Sequence, residues 1–190
     1  MARQGSIIKI NGTIAGINFY KSKDGYLVRE KGGVSAERIK KDPAFQRTRE
    51  NGSEFGRAGT SGKILRNAIR PLLQKASDSR MVSRLTREMI KVIQMDQTSP
   101  RGQRNVIDGE AVLLKGFDFN INGKLGNTLY APQTVEITRT SGLCEVNIPP
   151  FVPTVMIAAP SGTTHFKLLS AAVAVDFENG TFETQTNESG

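Results

Sequence analysis

The chain has 190 residues, 37% hydrophobic and 23% charged, enough for one sizeable core or two small ones and too apolar for global disorder. No apolar run approaches the roughly 20 residues that span a bilayer, so no membrane insertion is expected. The net charge of +8 conceals a polarity: residues 1–105 hold 22 Lys and Arg against 9 Asp and Glu, a net +13, and residues 106–190 hold 4 against 9, a net −5.

Opposite charge in the two halves fits three arrangements: nucleic acid on the basic half, head-to-tail attraction between copies, or pairing within one molecule. The single cysteine, Cys144, excludes an internal disulfide framework and a multi-cysteine zinc site. Lys9 interrupts Ile7, Ile8 and Ile10, so the opening residues lack the apolar core of a signal peptide. The expected location is the cytoplasm of the producing cell, or a particle released from it.

Residues 1–41 read as an extended arm. Asp24-Gly25 lies between Asn18-Phe19-Tyr20-Lys21 and Tyr26-Leu27-Val28, a hairpin signal. A lone hairpin is marginal in water, so this arm must pack on its own chain or on a neighbour.

Residues 42–95 read as a basic helical region. Asp42-Pro43 supplies an N-cap followed by proline in the first turn. Asn51-Gly52 is a potential break. Ile64, Leu65, Ala68, Ile69, Leu72 and Leu73 then make an apolar stripe that Pro71 should kink or shorten. Asp78 or Ser79 can cap a further helix with Val82, Leu85, Met89 and Ile93 on one face. Arg80, Arg84, Arg87 and Lys91 form a basic stripe on another. Gly52, Gly56, Gly59 and Gly62 recur at steps of four, three and three, either a bare strip on a helix that lets another backbone approach or a flexible loop.

Residues 96–106 read as a polar linker and the best candidate boundary. In residues 107–190 the period changes to two, as in Phe117, Phe119 and Ile121 and in Val135 and Ile137, with turn signals at Ser141-Gly142 and Asn179-Gly180. This predicts an antiparallel sandwich or barrel. Residues 183–190 are polar and offer no closing strand; they read as a plain tail, or as the open edge of a processed chain.

No catalytic or metal-binding constellation emerges. His165 lies in Ser161-Gly162-Thr163-Thr164-His165 without a nucleophile-elbow pattern, and reads as a strand-edge histidine. Gly59-Thr60-Ser61-Gly62-Lys63 ends like a phosphate-binding loop. However, Arg57 stands where the first glycine is required and Ile64 where the magnesium-binding hydroxyl is required. No cofactor and no small-molecule substrate are expected.

The stretch Gly16-Ile17-Asn18-Phe19-Tyr20-Lys21-Ser22-Lys23-Asp24-Gly25-Tyr26-Leu27-Val28-Arg29-Glu30, with Asp42-Pro43-Ala44-Phe45-Gln46-Arg47-Thr48-Arg49-Glu50-Asn51, resembles a group of uncharacterised small proteins of Bacteroidota. In these a short hairpin with an aromatic and a Val-Arg pair precedes a helix with an Arg-to-Phe spacing like that of Arg49 and Phe55. The resemblance covers residues 5–75 and implies a bacterial or prophage origin and no catalytic role.

The expected architecture is α+β: an N-terminal β-hairpin arm, central helices and a C-terminal antiparallel β-sandwich-like domain. The leading functional expectation is a non-enzymatic, self-assembling structural protein, a homo-oligomer forming a tube, shell, fibre or phage-like particle. Its expected assembly contacts are Phe19, Tyr20, Tyr26 and Val28 of the hairpin and Gly52, Gly56, Gly59 and Gly62. The expected basic surface is Arg80, Arg84, Arg87 and Lys91. The alternative is a basic accessory protein that binds nucleic acid without sequence preference, in which that stripe meets phosphate.

Overall fold

Turn chemistry organises the first part of the chain. A tight turn at Lys23-Asp24, followed by Gly25 at φ +107°, joins β3 (Ile17–Ser22) to β4 (Gly25–Glu30), the hairpin expected from sequence. A second turn at Ala15-Gly16, with φ +46° and +81°, joins β2 (Gly12–Ile14) to β3. Positive φ at both central residues matches the twist of the flanking strands, and glycine supplies it without strain. With β1 (Ala2–Arg3) the hairpin grows into a four-stranded antiparallel sheet of order β1-β4-β3-β2. The computed structural model describes residues 2–189, the Lys75 side chain excepted.

Ser35 caps the short helix α1 (Ala36–Lys41), and Asp42 caps the next turn by accepting the Ala44 N–H at 2.9 Å. A 3-10 turn at Pro43–Phe45 then runs directly into α2 (Gln46–Ala68). Asn51-Gly52 does not break α2, and all four glycines of the strip lie within it. The chain divides into two compact units between Arg49 and Glu50.

In the second unit α2 ends where Pro71, in the first turn of α3 (Arg70–Ala76), forbids continuation. The helix α4 (Met81–Gln94) follows and is the centre of the core. Leu85, Met89, Val92 and Ile93 are its largest fully buried side chains, and Ala58, Leu73, Met81 and Val106 close around them. Val82, expected on this face, is instead about half exposed at 48%.

Residues 96–106 are no free linker. Val106 enters the core, and Asp96 is buried while accepting the N–H groups of Thr98, Ser99 and Asn105 at 2.8, 3.0 and 3.1 Å. The segment reaches α2 as well: Gly102 donates to Glu54 at 2.8 Å, its carbonyl accepts from Arg57, and Arg104 pairs with Glu54 at 3.3 Å. Gly102 has φ +88°, and a Cβ there would lie 2.9 Å from Glu50 Cγ, so only glycine fits the approach. A polar composition here serves side chain-to-backbone bonding, not solvation.

Beyond it, Phe117 and Phe119 do not form the expected strand; their rings meet edge to face at 5.0 Å and pack against the core. Short helices α5 (Leu125–Thr128) and α6 (Pro153–Met156) are linked by a bridge between Leu129 and Ile157. The strands are antiparallel, as expected: β5 (Thr134–Thr138) pairs with β6 (Leu143–Asn147), and β7 (Leu169–Asp176) with β8 (Thr181–Glu188). They form two separate two-stranded ladders, so the sandwich is reduced to a pair of hairpins. The segment read as a polar tail contributes β8, whose Phe182 opposes Val175 and whose Thr184 donates its hydroxyl to the Ala68 carbonyl at 2.8 Å. The architecture is α+β.

Two stability predictions follow from this core. Met89→Ala should cost about 2–5 kcal/mol in chemical denaturation, whereas Val82→Ala should cost under about 1 kcal/mol. For Asp96, burial pushes the carboxyl up, but bonds from the Ser99 backbone and from the Ser99 and Thr98 side chains outweigh it. They hold the carboxyl well below its ordinary value of 3.8. Because the folded pKa is depressed, this stabilisation is complete above about pH 4 and is lost as acid carries the pH down through the lowered value. Asp96→Asn should therefore lower the melting temperature at neutral pH and narrow the gap to the parent as the pH falls below 4.

Candidate assembly surfaces

The N-terminal sheet sorts its expected contact residues onto two faces. Phe19 opposes Val28, and Lys21 opposes Tyr26, so Phe19, Tyr26 and Val28 share a face with Ile17 and Ile14. Tyr20 opposes Leu27 on the other face, where the Arg29 guanidinium lies 5.3 Å from its ring centroid. Lys21 and Lys9 approach the Tyr26 ring at 5.7 and 6.0 Å and give the first face a cationic border. Ile14 is 55% exposed and Ile17 42%. Between β1 and β2, Ile7 is fully exposed and Ile8 is 76% exposed; neither is among the assembly contacts expected from sequence. None of residues 2–49 is buried.

The glycine strip is only partly packed. Gly62 is buried, and a Cβ there would meet Leu85 at 3.8 Å. At Gly52, Gly56 and Gly59 a Cβ would meet nothing within 4 Å, so no close backbone in the chain accounts for them. Phe55, one helical step away, is 59% exposed. Gly59 to Lys63 lies inside α2, where no loop can wrap a phosphate.

Of the basic stripe of α4, only Arg84 is engaged internally. Arg84 is inward: it pairs with Asp78, donates to the Asp118 carbonyl at 2.7 Å and lies over the Phe117 ring at 5.1 Å. Asp78 also accepts the Ile121 N–H at 2.9 Å, the foremost of the bonds that hold its carboxyl below the ordinary range. Arg87 and Lys91 share Glu88, at 3.3 and 2.6 Å, and Lys91 is the main cause of that carboxyl's lowered pKa. Arg80 is exposed. Arg80, Arg87 and Lys91 therefore stay on the surface, and Arg84 is withdrawn from the row expected from their spacing.

The C-terminal hairpins border a cleft of about 750 Å³, lined by apolar side chains on one part and by Gln133, Asn147, Asn187 and Glu188 on another. Pairing of Val135 with Val146 and of Ile137 with Cys144 gives the β5–β6 ladder one apolar face. Val135, Val146 and Cys144 line the cleft with Phe151, Phe166 and Leu169; the two rings lie 5.9 Å apart. The cleft is open, with Val135 60% exposed. Each ladder has only two strands, so every strand has an outer edge without a ladder partner. Glu136 opposes Glu145 on the other face of β5–β6, an acidic pair in register.

His165 is exposed, and its Nδ1 lies 2.9 Å from the Thr164 hydroxyl. Among the described residues no group of three or more His, Cys, Asp and Glu converges as a metal-ligand set, and no helix is long and apolar enough to cross a membrane. No protein-family model, curated protein or solved structure matches the chain.

Substitution separates packing from surface roles. Changing Gly52, Gly56 and Gly59 together to Ala should stabilise the isolated chain by roughly 1 kcal/mol per site in denaturant titration. Arg84→Ala should lower the melting temperature by several degrees by stranding Asp78 and the Asp118 carbonyl, while Arg87→Ala should leave it nearly unchanged.

Proposed function

We propose that this chain is a non-enzymatic structural subunit whose copies associate through the N-terminal sheet. The observation that supports this is a four-stranded sheet with an apolar face, adjoining exposed isoleucines and no buried residue of its own. A small sheet needs an apolar face covered to persist in water, and contiguous exposed apolar surface is the mark of an interaction site. The +13 and −5 halves favour a head-to-tail contact, in which unlike surfaces of two copies meet. Contacts of that kind close into rings or extend into filaments, which suits a tube, shell or fibre.

The alternative, non-specific nucleic-acid binding, draws on the same positive charge: Arg80, Arg87 and Lys91 of the α4 stripe are exposed and Glu88 offsets one of their three charges, while Arg84 is committed to Asp78. Light scattering coupled to size exclusion on nuclease-treated protein tests the proposal. The expected mass is well above 20.7 kDa without nucleic acid and falls as salt rises. A clean monomer at low salt overturns it, and a large species that vanishes on nuclease treatment transfers the case to nucleic acid.

A further inference from the structure

We infer that the face of the N-terminal sheet that carries Tyr20 binds a single-stranded nucleic acid. The inference goes beyond the self-association reading and is independent of it, because Phe19, Tyr26 and Val28 lie on the opposite face. Register fixes what the Tyr20 face presents. Arg3 opposes Leu27 and Leu27 opposes Tyr20, one row across β1, β4 and β3. Arg29 opposes Asn18 and Asn18 opposes Thr13, the next row across β4, β3 and β2. Arg3, Arg29 and Thr13 are exposed, and Asn18, Tyr20 and Leu27 partly so.

Charge is sorted between the two faces. Glu30, the one acid in the four strands, opposes Ile17 and so belongs with Phe19. The Tyr20 face carries Arg3 and Arg29 and no carboxylate from the strands, and neither arginine is ion-paired among the described residues. Residues 1–41 as a whole hold 9 Lys and Arg against 3 Asp and Glu, a net +6. A cationic face without an acid of its own attracts a polyanion. The Tyr20 ring narrows the class. The Arg29 guanidinium, 5.3 Å from its centroid, forms with it a stack to which a planar base adds. Asn18, opposite Arg29, offers a donor and an acceptor to a base edge. Unpaired bases expose their faces and a duplex hides them, so the strand is single; a chain of carboxylates has no ring to add.

The test is fluorescence anisotropy of a labelled oligothymidylate with full-length, nuclease-treated protein at low and high salt, with light scattering on each variant. Arg3→Ala combined with Arg29→Ala should weaken binding roughly tenfold or more and lower the slope of log affinity against log salt by about 1.4. Tyr20→Leu should weaken it roughly fivefold or more, whereas Tyr20→Phe keeps the ring and stays near the parent. Arg80→Ala combined with Arg87→Ala, on the α4 surface, should weaken it less than the sheet pair does. Neither an unlabelled duplex of the same length nor polyglutamate should displace the probe as well as unlabelled oligothymidylate.

No binding at low salt would overturn the inference. An equal or greater loss from the α4 pair would move the phosphate contacts to α4 and refute the sheet site. Unchanged affinity in Tyr20→Leu would leave charge alone and remove the stacking on which the choice of partner rests. Equal displacement by polyglutamate would make the partner an acidic polypeptide instead. Oligomers that bind no oligonucleotide would remove this site and keep association through the other face, and monomers that bind it would do the reverse.

Discussion

The burial of one face of α4 is the interaction on which the second unit depends. Leu85, Met89, Val92 and Ile93 are the largest side chains removed from water, and α2, α3, the 96–106 segment and the two phenylalanines gather around them. The fully buried apolar set is concentrated there, leaving little to cover the rest of the chain. The N-terminal sheet and the β5–β6 hairpin are built of strand-forming residues, yet Ile14, Val135 and Ile137 remain more than half exposed. Such ladders are held by backbone pairing with an apolar face left over. This imbalance between one tight core and several uncovered faces is what makes association physically reasonable for the chain.

Three arginines order irregular segments of this chain. Arg49 donates to the Ile39 and Asp42 carbonyls at 2.7 and 2.9 Å, Arg57 to that of Gly102, and Arg84 to that of Asp118. A guanidinium presents several donors in a fixed plane and satisfies carbonyls that would otherwise be stranded in irregular segments. Glu54 and Asp78 do the complementary work, accepting backbone N–H groups from Gly102 and Ile121 while paired with arginine. A bond to a carbonyl leaves the guanidinium charge intact, and Lys21 and Lys23 of the arm and Arg80, Arg87 and Lys91 of the α4 stripe stay exposed.

Local signals made part of this legible from sequence. The β3–β4 turn, the Asp42-Pro43 start, the Pro71 break and the apolar repeat of α4 each depend on a few adjacent residues whose stereochemistry decides the outcome. What was misread depends on distant partners. Nothing local in residues 96–106 reveals that Asp96 will be buried by its own loop, or that Gly102 must pass against Glu50. The segment forming β8 looks like a tail because its threonines favour a pleated strand only once β7 is there as a partner, and the Ala68 carbonyl that Thr184 reaches is distant in sequence. Arg84 fell on the expected helical spacing, but spacing does not show that Asp78 and Phe117 will enclose it. Of the hairpin residues, Tyr20 was separated from its neighbours by the alternation of the strand, a distinction the spacing already contained.

The glycines of α2 carry the argument about uncovered surfaces one step further. A helix keeps Gly52, Gly56 and Gly59 at a cost of roughly 1 kcal/mol each against alanine. Gly62 has a reason within the chain, since it lets Leu85 approach α2. The other three have open space where a side chain would be, beside an exposed Phe55. An unfavourable choice repeated on one helical face, with no neighbour inside the fold to offset it, matches the unburied sheet and the open cleft. In each case the folded chain leaves favourable packing unmade, and that is the packing the proposed contact between copies would supply.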